Sequence, residues 1–98
     1  MPSTYEVTAV RKCESRNAFE IVTHLCGEAY DGSQWQIPLE DAIEGLRCGR
    51  FEFLVPIQEG RQGKLVIARS PYNRYYLKCT EDRGEPTSLL RLPMPQPD

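Results

Sequence analysis

Only one stretch of this chain spaces its apolar residues as a good amphipathic helix does; most of the other apolar runs read as strands. In "IPLEDAIEGLRCG", Leu39, Ala42, Ile43 and Leu46 fall at i, i+3, i+4 and i+7, a single stripe down one helix face. The punctuation agrees. Pro38 suits the first helical position, Glu40, Asp41 and Glu44 lie toward the positive end of the dipole, Arg47 lies near the negative end, and Gly49 suits a left-handed C-terminal cap. Gly45 in the helix interior costs about 1 kcal/mol relative to Ala, so its presence predicts a close neighbour, most simply a sheet packed against the helix.

The remaining apolar segments read as strands. Tyr5, Val7 and Ala9 alternate with Thr4, Glu6 and Thr8, which predicts a strand over residues 4–10 with one face buried. "CESRN" supplies turn residues, and Phe19, Ile21, Thr23 and Leu25 alternate again as far as Gly27, so the two strands are expected to form a hairpin. Asp31-Gly32 predicts a tight turn, and Trp35 just before the helix is expected to be a core anchor covering the sheet's end. Beyond the helix, Phe51, Phe53 and Val55, then "KLVIARS", then "YYLKCT", separated by the turns "QEGRQG" and "SPYNR", predict three more antiparallel strands. The order ββαβββ predicts an α+β fold, either an antiparallel five-stranded sheet or a half-open barrel, with one amphipathic helix.

The stretch "YYLKCTEDRGEPTSLLRLP" closes the chain. Glu81 to Gly84 read as a turn, and Leu89, Leu90 and Leu92 would form a sticky patch unless they fold back over the sheet as a short C-terminal helical turn before Pro93. A single globular domain is therefore expected over residues 1–93, followed by a flexible Pro-rich tail over 94–98.

A chain of 98 residues, 40% apolar and 27% charged, has room for one core and needs neither metal nor disulfide to fold. Its start carries no basic and apolar leader, and no run approaches the roughly 18 apolar residues of a membrane span, so a cytoplasmic protein is expected. Cys13, Cys26, Cys48 and Cys79 never form a C-x-x-C pair; reduced structural thiols are expected, with two disulfides of a secreted domain as the alternative. His24 is the only histidine, which excludes a His-rich metal site, and it shares a strand face with Glu20, Val22 and Cys26. A Cys-His nucleophile needs the thiolate and imidazole in mutual reach, whereas residues two apart on a strand stand side by side. Asp31 and Asp82 are turn residues expected to bond local backbone, and the scattered glycines form no phosphate loop. The expectation is a non-enzyme with no catalytic residue, metal or cofactor.

Charge is divided along the chain. From Gly60 to Thr80 there is no Asp or Glu, and Arg61, Lys64, Arg69, Arg74 and Lys78 give that window +5 in a protein whose net charge is −2. On a strand over 74–80, Arg74, Tyr76 and Lys78 would share one face, placing two cations beside one ring. Arg69, Tyr72, Arg74, Tyr76 and Lys78 are therefore the candidate binding residues. Two readings follow. The first is a small interaction module that binds a protein partner or its own copy, the acidic helix facing a basic hairpin across a two-fold axis. The second is a nucleic-acid-binding module using the basic aromatic hairpin 61–78, with phosphates on the cations and a base stacked on Tyr76. The bland alternative is a solvated strand face kept charged against edge pairing.

An ordered set of residues spans most of the chain: an Ile-containing strand ending at Gly27, Asp31-Gly32 with Trp35, Ala42-Ile43, Gly49 followed by Phe53 and Val55, Tyr76-Leu77-Lys78, Asp82, and Leu89-Leu90-x-Leu92-Pro93. In that set the chain resembles a small bacterial family known only as a domain of unknown function. It departs from the family pattern at Cys26, where a Gly is usual, at Cys79, where a Thr is usual, at Thr87-Ser88, where a pair of Asn is usual, and at Met94-Pro95, where an acidic residue and a Cys are common. The resemblance implies a shared fold and brings no activity or site.

Overall fold

Residues 3–12 lead into two sheets, not one. The computed structural model describes residues 3–14, 16–17, 19–29, 31–58 and 60–95. Strand β1 (Ser3–Glu6) pairs in parallel with β5 (Phe51–Gln58), while β2 (Ala9–Lys12), just two residues further on, pairs antiparallel with β3 (Val22–Glu28). Consecutive amides make the switch: Val7 N–H donates to Leu54 O at 2.8 Å and Thr8 N–H donates to Cys26 O at 3.0 Å. The bend drives the Val7 side chain fully into the core between the sheets.

Among the described residues the order is β1, β2, β3, β4 (Gln34–Pro38), α1 (Leu39–Arg47), β5, β6 (Arg61–Arg69), β7 (Tyr75–Cys79), α2 (Thr87–Leu90). The mixed sheet runs β1-β5-β6-β7 and the antiparallel sheet runs β2-β3-β4. The α+β class, the helix and the three strands that follow it match the sequence. The single five-stranded antiparallel sheet does not: the expected strand over 4–10 divides at its bend, and β4 adds a strand to the second sheet.

β4 also moves Trp35. It is a strand residue opposite Gly27, half-buried with Ile37, while Gln34 and Gln36 are exposed, and it packs edge-on against Tyr5 with ring centroids 5.4 Å apart. The second correction concerns β3. Arg11 faces His24 but Lys12 faces Val22, so Thr23 is a bulge that resets the alternation. Val22, Leu25 and Cys26 are consequently all buried, whereas Phe19 and Ile21, expected on the inward strand face, precede the strand.

α1 starts one residue later than Pro38, which is extended at φ −60°, ψ 147° and serves as the N-cap. Its C-terminus is a Schellman cap: Gly49 at φ 77° lets Arg50 N–H reach Gly45 O at 2.8 Å and Gly49 N–H reach Leu46 O at 3.3 Å. Gly45 faces the Phe51 ring so closely that a Cβ there would overlap it, which is the close approach its place in the helix predicts.

The chain end closes the core. Leu89 and Leu92 are buried, Val10 N–H of β2 donates to Pro93 O at 3.0 Å, and Lys12 Nζ donates to Leu90 O at 2.8 Å. Asp82 joins β7 to α2: its carboxylate accepts from Cys79 N–H at 3.0 Å and from the Ser88 hydroxyl at 2.9 Å. α2 has no capping side chain of its own at Pro86, so this carboxylate also supplies an acceptor for the Ser88 amide, at 3.3 Å. Of the expected tail, Met94 is exposed and Pro95 is half-buried; positions 96–98 lie outside the described residues, as do Ser15, Tyr30 and Glu59 of the expected turns. Among the described residues no helix is long and apolar enough to cross a membrane.

Candidate functional site

The β6–β7 turn is built so that two tyrosines point outward. Ser70, itself buried, accepts from the amides of Tyr72 and Arg74 at 3.2 and 3.3 Å, and its own amide donates to Arg74 O at 2.8 Å. Asn73 takes φ 64°, a conformation its short polar side chain tolerates. This leaves Tyr72 64% exposed and Tyr75 53% exposed, the two most exposed large apolar side chains among the described residues. Arg69 lies opposite Tyr75 in the strand register, with its guanidinium 5.8 Å from the ring centroid. From the last turn of α1, Arg47 reaches the same ring at 5.2 Å.

Beside the turn, a cleft of about 500 Å³ opens between the start of β3, the start of α1 and Tyr75. Phe19, Val22, Leu39 and Ile43 give it apolar walls, and Glu20, His24, Glu40, Ser70 and Arg74 supply its polar groups. Glu20 and Arg74 pair across it at 3.3 Å.

The candidate binding residues do not share one face. Arg69, Tyr72 and Arg74 are exposed around the turn. Tyr76 is 5% exposed, with its hydroxyl donating to Gly84 O at 2.5 Å and its ring edge-on to Phe19 at 4.8 Å, so neither ring face is open to a stacked base. Lys78, further along β7, is half-buried and donates to Asp82 O at 3.3 Å. The segment 82–84 holds both residues in its hydrogen bonds. Tyr75, Arg47 and Phe19 join the site although they are not among the candidate binding residues. Once "SPYN" is taken as a turn, Arg69 and Tyr75 become cross-strand partners, and that signal was present in the sequence. Nothing local places Arg47 against them.

Three of the five cations in the +5 window are matched within the fold: Arg61 pairs with Glu81 at 2.8 Å, Lys64 with Glu52 at 3.6 Å and Arg74 with Glu20. Among the described residues Arg69 has no carboxylate partner.

The remaining reactive groups are separated. His24 Nδ1 lies 2.9 Å from Thr23 Oγ1, while Cys26 faces a different cleft, of about 390 Å³, with Arg11 and Gln36. Burial pushes the Cys26 thiol above its ordinary range, partly offset by the Arg11 charge, which is the reverse of what activates a nucleophile. The four thiols are free, two buried and two exposed. Asp31 accepts from Ser33 Oγ and N at 2.6 and 2.9 Å, bonds that hold its carboxyl below the usual range. Among the described residues no three His, Cys, Asp or Glu side chains gather as metal ligands. A third cavity, of about 200 Å³, is lined by Tyr5, Trp35, Ile37, Phe51 and Phe53 where the two sheets diverge.

No family model, curated protein or solved structure matches this chain.

Proposed function

We propose that the chain is a small non-enzymatic interaction module that binds a protein partner or a second copy of itself through the surface around Tyr72 and Tyr75. The observation that carries this reading is the exposure of Tyr72 in the β6–β7 turn and of Tyr75 at the start of β7, with two arginine guanidiniums on the Tyr75 ring. Tyrosine and arginine dominate binding hot spots because each combines large contact area with directional hydrogen bonding. The internal pairing of Arg61, Lys64 and Arg74 removes much of the drive for an acidic helix to pair with a basic hairpin, and favours a foreign partner over a symmetric dimer. A cytoplasmic setting and kinship with the bacterial family belong to the same proposal.

A photocrosslinking amino acid at position Tyr72 or Tyr75 tests it in cells. The expected result is a discrete adduct at both positions and none from position Thr4 on the exposed edge of β1; equal labelling everywhere, or none at the turn, defeats the reading. Light scattering across a concentration series separates a foreign partner from self-association.

Nucleic-acid binding is a second reading because exposed Tyr72 could take a stacked base, and Arg69, which has no carboxylate partner among the described residues, a phosphate. It requires anisotropy of a labelled single strand to rise at low salt and to fall when Arg69→Glu is introduced.

A further inference from the structure

We infer that the partner presents an acidic segment: an apolar side chain of that segment enters the cleft beside Tyr75, and a neighbouring carboxylate binds between Arg47 and Arg69. This rests on the interaction reading above and adds the partner's chemistry. Charge matching is the first argument. Arg61, Lys64 and Arg74 each have a carboxylate within 3.6 Å, whereas Arg69 has none among the described residues and Arg47 has only Glu44 of its own helix at 3.9 Å, both ends largely in solvent. Other arginines, Arg11 and Arg50 among them, also lack a carboxylate among the described residues, but Arg47 and Arg69 are the two that converge on one exposed ring, Tyr75. A ring that holds both in place spares a ligand part of the cost of ordering them, and a guanidinium offers a carboxylate two parallel hydrogen bonds.

Position is the second argument. Tyr75 is both the platform for the arginines and a wall of the cleft, so an apolar side chain seated against Val22, Leu39 and Ile43 lies one ring away from the arginines, which do not themselves line the cleft. At about 500 Å³ the cleft has room for a large aliphatic or aromatic group. The acids that face it set the polarity. Glu20 is engaged by Arg74, and Glu40 stands on the first turn of α1, the opposite end of that helix from Arg47. A bound carboxylate is therefore favoured at the Tyr75 end and repelled from the Glu40 end.

The test pans a random peptide library on the immobilised full chain and measures enriched peptides, resynthesised with a dye, by anisotropy. The expected peptides carry Asp or Glu within a few residues of a large apolar side chain. Their affinity should fall about tenfold or more on Arg47→Glu with Arg69→Glu, and a Lys-substituted peptide should recover binding to that reversed variant. Both side chains are exposed, and Arg47→Gln with Arg69→Gln provides a milder pair with unchanged thermal unfolding as the fold control. Amide shift changes on titration should centre on Tyr75 and Ile43. Enrichment of neutral or basic peptides, affinity indifferent to the arginines, shifts centred elsewhere, or no binder above background would each overturn the inference. Crosslinks at Tyr72 that persist in any of these cases would leave the broader interaction reading standing, while their absence removes both.

Discussion

Tyr76 shows how much one residue's surroundings decide. Burial first, and the Asp82 charge second, push its phenol above the ordinary value. An unfolded tyrosine ionises near about pH 10, so between that value and its higher folded value the native state holds the extra proton. The stability this represents is complete below about pH 10 and is lost as pH rises through the folded value. Tyr76→Phe should cost about 0.5–1.5 kcal/mol at neutral pH through the lost bond to Gly84 O, and should flatten the alkaline decline. Urea midpoints at about pH 8 and about pH 10.5 read this directly: the gap between wild type and variant narrows at the higher pH. A constant gap would mean that the phenol is not held in its neutral form by the fold. The sequence could not place this ring. "YYLKC" has apolar groups on both alternating sets, because β7 is covered by the core on one face and by the segment 82–84 on the other, and alternation marks a face only where the opposite side meets water.

At the scale of elements, what could be read depended on whether a signal was local. α1 was legible because stripe, acids and C-terminal Gly agree within a dozen residues. β4 was not, since "QWQIP" offers only Trp35 and Ile37 as alternating positions and runs straight into Pro38 and the helix. The Thr23 bulge was invisible because it is a property of the pairing between two strands. Gly45 was legible, and its reason can be tested by sign. In a solvent-exposed helix, Gly→Ala stabilises by about 1 kcal/mol. Here the added methyl meets the Phe51 ring, and overpacking costs about 1–3 kcal/mol, so Gly45→Ala should lower the urea midpoint. The same change should cost less in a Phe51→Leu background, which a double-mutant cycle measures. A stabilised single variant would show that the ring does not press on the helix.

For the whole molecule, the decisive features join residues far apart in sequence. The +5 window is paired with Glu20, Glu52 and Glu81, so an asymmetry that suggested a charged partner becomes, for three of its cations, the protein's own surface ion pairs. The junction of the two sheets is equally nonlocal. Gly27 of β3 is buried where the chain bends between β1 and β2, and a Cβ there would overlap both the Glu6 carbonyl and the Trp35 ring. The ring could shift, but the carbonyl belongs to backbone that already pairs with β5 through Leu54. Gly27→Ala must therefore separate the sheets or displace Trp35, at a cost of about 1–3 kcal/mol by analogy with other overpacked cores. Trp35 is the only tryptophan, so its emission reports this site alone: Gly27→Ala should shift it to the red and lower the thermal midpoint together. Gly84→Ala, whose Cβ meets nothing within 4 Å, is the matched control and should stay within about 0.5 kcal/mol of wild type. Equal effects from the two substitutions would mean that close packing at Gly27 does not limit how the sheets meet, and the bend would then owe its place to the Val7 and Thr8 amide bonds and the core side chains.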